Sequence, residues 1–243
     1  MSKSISVLFI GNSYTYYNEM PNAIFEKIAR DNGKDVCVSK IVKGGWTLEK
    51  HANPDDEFGK LVYEALDENS KGKYDYVILQ EQSVRPAIEE GRELFFDAVR
   101  LLVKKIRAIG ATPLLYCTWG RKEGNEKLAL INLTNESMTQ RLAAAYTKIA
   151  EELDIAVAHA GLAFKEIYTA HSTDVELYHH DGSHPSSLGS LLAATVIYSK
   201  IFGADPRALT LDFDIGIEVC DLIKNAAYNA VFCTPKIPEE YRL

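Results

Sequence analysis

Apolar runs and helix-period stretches alternate along most of this 243-residue chain. The first run, Ile5 to Ile10, stops at Gly11, as a buried parallel strand does when it delivers its last residue to a turn. Asn22 to Arg30 carries Ala23, Ile24 and Ile28 at helical spacing, and Asn32-Gly33 ends that helix. Asp35 to Val42 alternates as a second strand and closes on Gly44-Gly45-Trp46, and Tyr74 to Leu79 is a third, ending at Gln80-Glu81-Gln82-Ser83. From Glu89 to Ile109, the residues Leu94, Phe95, Ala98, Leu101, Leu102, Ile106 and Ile109 form one apolar stripe, with Gly110 as its stop. Thr112 to Cys117 is a fourth strand. Leu142, Tyr146, Ile149, Ala150 and Leu153 mark another helix, which leads into a short strand at Ile155 to Ala158. Ser186 to Phe202 places Leu188, Leu191, Leu192, Thr195 and Val196 on one helix face and stops at Gly203. A further helix over Ile215 to Asn229 precedes a Pro-containing tail.

Five strands separated by helices imply a parallel sheet, because each crossover must return the chain to the same sheet end. The fold expected is a three-layer α/β/α sandwich around a five-stranded parallel sheet. With 47% hydrophobic residues and no composition break, residues 1–243 read as one domain. Ser13, Gly44-Gly45, Gln80 to Ser83 and Trp119 each follow a strand, so all are expected to line one crevice at the carboxyl ends of the strands. Gly120 to Asn135 has little periodicity and many charges; it reads as a surface loop, with a mobile flap over the crevice as the other reading.

A net charge of −7 without any Lys/Arg block argues against a nucleic-acid partner. The start, from Met1 to Ile10, has an apolar run too short for a signal peptide, and no stretch is long enough to span a membrane. Cys37, Cys117, Cys220 and Cys233 show no paired spacing, which predicts free thiols and a cytoplasmic location. Nothing in the sequence sets the oligomeric state.

The chemistry gathers at two ends of the chain. A serine set just past a strand by a glycine turn, Ser13, is a candidate nucleophile, although Gly-Asn-Ser is also ordinary turn chemistry. Its hydroxyl needs a base, which His184 would supply through one ring nitrogen. Asp181, three residues earlier, would hold the other nitrogen and fix the tautomer. On a turn leading into a helix, residues i and i+3 lie on one side, and Pro185 suits a first helical position. Read alone, His184 is equally a helix-start or surface histidine.

Gly11-Asn12-Ser13 after the first strand, a glycine after the second, a polar block after the third and Asp181-x-x-His184 near the end together resemble the SGNH (GDSL-like) hydrolases. The blocks run in the family's order over nearly the whole chain. Asn12 stands where better-known members carry Asp, and Gln80-Glu81-Gln82-Ser83 fills the place of the family's Gly-x-Asn-Asp. The resemblance implies a flavodoxin-like SGNH hydrolase fold and a serine esterase with catalytic Ser13, His184 and Asp181. It also implies an oxyanion held by the backbone N–H of Ser13 and Gly45 and by the Gln82 side chain, one methylene longer than the family's asparagine. Gly44-Gly45 reads equally as a turn requiring positive φ, and Gln82 as a strand-end residue bonded to backbone. Glu81 and Ser83 read as structural.

Tyr14, Trp46 and Trp119, with Tyr16, Tyr17 and Tyr178, fall near these blocks, and aromatic faces can stack sugar rings or hold acyl chains. Each of these rings taken alone reads more often as core packing; Tyr14, Trp46 and Trp119 are the substrate-binding candidates. Members of the family act on carbohydrate acetyl esters, short acyl esters, thioesters or phospholipids. The partner expected is a small carboxylic ester, with acetylated sugars among the candidates, and no cofactor is implied. Three rival readings exist. His179-His180-Asp181-x-x-His184 is dense in metal-ligand types, although consecutive histidines in an extended loop point to opposite sides and Ser13 would have no role. A flavodoxin-like module could hold a phosphate on Ser13 and Thr15, and the altered third block fits a non-catalytic relative that binds sugar.

Overall fold

The computed structural model describes residues 4–243; Met1 to Lys3, the start of the segment read as too short for a signal peptide, lie outside the described residues. β1 (Ile5–Gly11) leads into α1 (Ser13–Tyr16), a π-helical turn at Met20–Phe25 that continues as α2 (Glu26–Asp31), and β2 (Val36–Val42). Next come α3 (Leu48–His51), α4 (Glu57–Ala65), β3 (Tyr76–Leu79), α5 (Glu89–Ala108) and β4 (Thr112–Tyr116). The chain goes on through α6 (Glu126–Leu130), α7 (Asn135–Leu153), β5 (Ala156–Ala158), α8 (Ala160–His171), α9 (Ser187–Phe202) and α10 (Ile217–Phe232). The five strands form one parallel sheet in the order β2-β1-β3-β4-β5.

The reason the strands read as nearly continuous apolar runs is that both sheet faces are covered. In β1, Val7 and Phe9 enter a core shared with α2, α8, α9 and α10, while Leu8 and Ile10 enter a core shared with α3, α4, α5 and α7. This is the expected α/β/α sandwich. Because all strands are parallel, their carboxyl ends, from Val42 across to Ala158, share one edge of the sheet, and the loops leaving that edge carry most of the singled-out residues.

Four details differ from the sequence reading. The α5 stripe is displaced: Phe95, Val99, Leu102 and Ile106 are buried, whereas Leu94 and Leu101 are 40% and 39% exposed, one residue or about 100° around the helix. α9 is buried almost all round rather than on one face, since α8 and α10 pack on it from outside the sheet. α4 and α8 are helices that the sequence reading does not assign, although α4 carries Phe58, Leu61, Val62 and Ala65 at helical spacing; α8 packs through small residues, Ala160, Gly161 and Ala163, beside Phe164 and Ile167. Finally, residues 120–135 are not a plain surface loop, because Gly120 and Arg121 are buried, α6 folds within the segment, and the Lys122 N–H donates to the Gly182 carbonyl at 2.8 Å. Cys37, Cys117, Cys220 and Cys233 are free thiols. Among the described residues no helix is long and apolar enough to cross a membrane.

Candidate active site

The turn after β1 is locked from beneath. A Cβ on Gly11 would lie 2.6 Å from Thr15 Oγ1 and 2.7 Å from Gln80 Oε1, so only glycine fits there. Gln80 Oε1 accepts from the Asn12 N–H at 2.9 Å and from the Thr15 hydroxyl at 2.8 Å, fastening the first block to the end of β3. The Asn12 side chain caps α1 by accepting from the Tyr14 N–H at 3.1 Å, and its amide donates to the Trp46 carbonyl at 2.9 Å. An aspartate in this place could accept but not donate, which gives a physical reason for Asn12 here. Gln80, expected with its block to line the crevice, is instead buried beneath it, where its side chain ties the turns together through long-range contacts.

Ser13 opens α1, and its Oγ lies 2.8 Å from His184 Nε2. His184 Nδ1 lies 2.5 Å from Asp181 Oδ2. A hydrogen-bond assignment follows: Nδ1–H donates to the carboxylate, which leaves Nε2 to accept from the Ser13 hydroxyl. The other carboxylate oxygen, Asp181 Oδ1, accepts from the N–H groups of Ser183 and His184, each at 2.9 Å. The i to i+3 meeting is therefore made by an aspartate-closed turn through Gly182 (φ +62°), not by the start of a helix. Burial works against the Asp181 charge, but the side chain and N–H of His184 and the N–H of Ser183 outweigh it and hold its carboxyl down at about 2. Tyr17 lies flat on the imidazole, with ring centroids 4.5 Å apart and planes 15° from parallel.

Pro185 is not the first helical residue. Ser186 is the N-cap of α9, accepting from the Gly189 N–H at 3.1 Å, and Pro185 precedes it in an isolated antiparallel bridge with Tyr178. A hydroxyl that can cap wins the boundary over a proline that can only tolerate it.

The turns after β2 and β3 complete one wall. Gly45 has φ +70°, as its turn reading required. Gln82 Oε1 accepts from the N–H groups of Val84 at 2.9 Å and Arg85 at 3.2 Å, so the carbonyl end of its amide is pinned and the NH2 end faces away from that turn. Glu81 is wholly buried, and its carboxylate accepts from the N–H groups of Leu48 at 3.1 Å and Gln82 at 2.5 Å, joining the second and third blocks. Burial pushes its pKa up to about 7, against those two N–H groups and the Arg85 charge, while Glu49 adds to the rise.

Because the folded pKa of Glu81 is raised, its contribution to stability is fully present below about 4.5 and is lost as pH rises through about 7. At one pKa unit per 1.36 kcal/mol, the loss is on the order of 3 kcal/mol. His51 and His159, whose pKa values burial lowers, push stability the other way. The difference between wild type and Glu81→Gln isolates the glutamate: in denaturant melts, the wild type should lose stability relative to the variant by about that amount between pH 4.5 and pH 8. A pH-independent difference would show that Glu81 stays ionised in the fold.

A cavity of about 360 Å³ opens over these turns, lined by Ser13, Tyr14, Gly45, Gln82, Asp181 and His184 among others. The aromatic candidates separate. Tyr14 lines the cavity, with its hydroxyl 2.7 Å from Ser183 Oγ; burial raises its pKa, against the nearby Arg121 charge. Trp119 is 0% exposed, stacked on Phe164 at 3.7 Å and on Tyr14 at 5.2 Å, so it supports the wall and has no face to offer a substrate. Trp46 turns away: its indole donates to Asp56 at 3.0 Å, and Lys43 and Lys50 each stand 4.1 Å from its ring centroid. Ser83, read as structural, lines the cavity beside Arg121, which was hidden in a segment read as a loop. His179 and His180 do not point apart, since their ring centroids are 3.9 Å from each other, yet among the described residues no three His, Cys, Asp or Glu side chains converge to hold a metal.

The strand order and a crevice of Ser, His and Asp at the carboxyl edge of the sheet define an α/β/α protein of hydrolase type. No protein-family model and no curated protein matches the chain. Solved structures do. A Slackia heliotrinireducens protein classed as an SGNH hydrolase is 32% identical over 82% of this chain and 100% of its own, with a TM-score of 0.69. The chain belongs to the SGNH hydrolase family. A DUF4886-family protein from Bacteroides uniformis has the same fold at a TM-score of 0.80, 19% identity and 98% coverage of both chains. An acetylxylan esterase from Geobacillus stearothermophilus shares the fold at a TM-score of 0.52 and 16% identity, over 82% of this chain and 93% of its own.

Proposed function

We propose that this hydrolase is a serine esterase for small carboxylic esters. The observation that carries the reading is the relay of 2.8 Å from Ser13 Oγ to His184 Nε2 and 2.5 Å from His184 Nδ1 to Asp181 Oδ2, at the mouth of a small cavity. Ser13 attacks the ester carbonyl as His184 Nε2 takes its proton, and Asp181 holds the imidazole in the accepting tautomer and stabilises the imidazolium. The N–H groups of Ser13 and Gly45 and the Gln82 amide NH2 receive the oxyanion; the pinning of Gln82 Oε1 by Val84 and Arg85 favours this use of its NH2 end. Collapse of the tetrahedral intermediate gives an acyl-Ser13, with the His184 proton passing to the leaving alkoxide. Water, activated by the same imidazole, then releases the acid.

The cavity suits a short acyl group, and the acetylxylan esterase of similar fold makes O-acetyl carbohydrates reasonable first substrates. The test is hydrolysis of p-nitrophenyl acetate and butyrate, with and without EDTA, followed by a fluorophosphonate probe and peptide mass spectrometry. Turnover indifferent to EDTA and blocked by one adduct on Ser13 is the expected result. Turnover abolished by EDTA, or inhibition with the adduct on another residue, would overturn the mechanism.

A further inference from the structure

The cavity holds a cation that the esterase mechanism does not use. Arg121 lines it and is only 6% exposed, yet no carboxylate among the described residues pairs with the guanidinium. Its Nη1 donates to Ser183 Oγ and its Nη2 to Ser83 Oγ at 3.3 Å, both neutral hydroxyls, and Nε is buried without a partner. A guanidinium has five N–H donors, so two hydroxyls leave it short of acceptors. Proteins bury arginine almost only against an anion, because a desolvated charge without a partner is costly.

The position of Arg121 is imposed by the scaffold. The Gly120 carbonyl accepts from the Tyr178 hydroxyl at 2.8 Å and Asn135 Nδ2 at 3.1 Å, the Arg121 carbonyl accepts from Asn135 Nδ2 at 2.8 Å, and the Gly120 N–H donates to Thr139 Oγ1 at 2.9 Å. The guanidinium so held bridges the turn of Gln82, through Ser83, to the turn of His184, through Ser183. It stands beside the reacting centre. Lys127, exposed on α6 and without an ion pair among the described residues, lines the same cavity, whereas the single acidic residue of its lining, Asp181, is engaged by His184. In a chain of net charge −7, a crevice with two cations beside one committed carboxylate is a local reversal of sign.

We propose that Arg121, aided by Lys127 at the rim, binds a carboxylate carried by the ester substrate, so that the natural substrates are anionic esters. This deepens, and rests on, the esterase reading above. Two size-matched comparisons, each an anionic ester against a neutral one, test it in the wild type. One places the charge on the acyl side, p-nitrophenyl hemisuccinate against p-nitrophenyl butyrate; the other places it on the alcohol side, 4-acetoxybenzoate against its methyl ester. At least one anionic ester should exceed its neutral partner in kcat/KM by about ten-fold or more, the scale of a charge-assisted hydrogen bond. The ratio should collapse towards one or below in Arg121→Met and survive in part in Arg121→Lys, which keeps the charge but loses the fork.

Neutral esters cleaved faster than both anionic ones by the wild type would overturn the proposal while leaving the esterase intact, and this result needs no folded variant. A preference unaltered in a folded Arg121→Met would remove Arg121 from it. If none of the four esters is cleaved, the esterase reading fails first. The anion site is then judged by melting temperature in millimolar succinate: a rise in wild type that Arg121→Met lacks supports the site, and no rise overturns it.

Discussion

Ser13→Ala is expected to lower kcat for small esters by roughly 10⁴- to 10⁶-fold with little change in fold, the scale seen when the nucleophile of a serine hydrolase is removed. The effect is large because no other hydroxyl can take its place. His184 Nε2 reaches Ser13 Oγ at 2.8 Å, and the other serines of the cavity are already committed, Ser183 to Tyr14 and Arg121 and Ser83 to Arg121. The loss should leave stability almost untouched, since Ser13 Oγ caps nothing and the α1 cap belongs to Asn12. Steady-state kinetics and a thermal melt on the same preparation check both halves. A variant that keeps more than a tenth of wild-type kcat would place the nucleophile elsewhere.

Asp181→Asn should cost about 10³- to 10⁴-fold in kcat, for a reason of proton placement rather than of fold. In the wild type Oδ2 accepts from His184 Nδ1–H, so the lone pair faces Ser13. An asparagine can keep Oδ1 as the acceptor for the N–H groups of Ser183 and His184, which preserves the turn. Its NH2 would then donate to Nδ1, and the proton would move to Nε2, where it blocks acceptance from the serine hydroxyl. The prediction is a fall in kcat with KM within a few-fold, measured alongside reactivity of Ser13 with a fluorophosphonate, which should fall in parallel. An unchanged rate of phosphonylation would mean that the imidazole accepts the Ser13 proton without help from Asp181. Since the Asp181 carboxyl is held at about 2, this residue should not shape the wild-type pH profile above pH 4.

Much of this architecture was legible because the relevant signals are short-range. β1 announces itself as a buried run ending on Gly11, and that glycine is explained by one local approach, from Thr15, together with one distant one, from Gln80. Asp181 and His184 sit three residues apart in a turn, so their contact needed no tertiary knowledge. The misreadings share a cause as well. The stripe on α5 includes Leu94 and Leu101 because hydrophobicity alone cannot say which flank of a helix the sheet covers. Trp119 follows a strand as Ser13 does, but Phe164 from α8, a helix that the sequence reading does not assign, takes its ring face.

What the sequence by itself determined is the succession of five parallel strands, the edge of the sheet at which chemistry gathers, and the order of the blocks that carry Ser13, Gly45, Gln82, Asp181 and His184. The strands, their ends and the Asp181–His184 spacing depend on periodicity and turn residues, which are written locally, whereas Gly45 and Gln82 were marked only by the resemblance to the SGNH hydrolases. Only the tertiary structure decided which aromatic rings face the crevice, that Gln80 and Glu81 bind the blocks to one another, and that Arg121 lies buried among hydroxyls with no carboxylate partner among the described residues. Burial and partnership of a polar side chain are set by segments far away in the chain, and no local pattern of residues carries them.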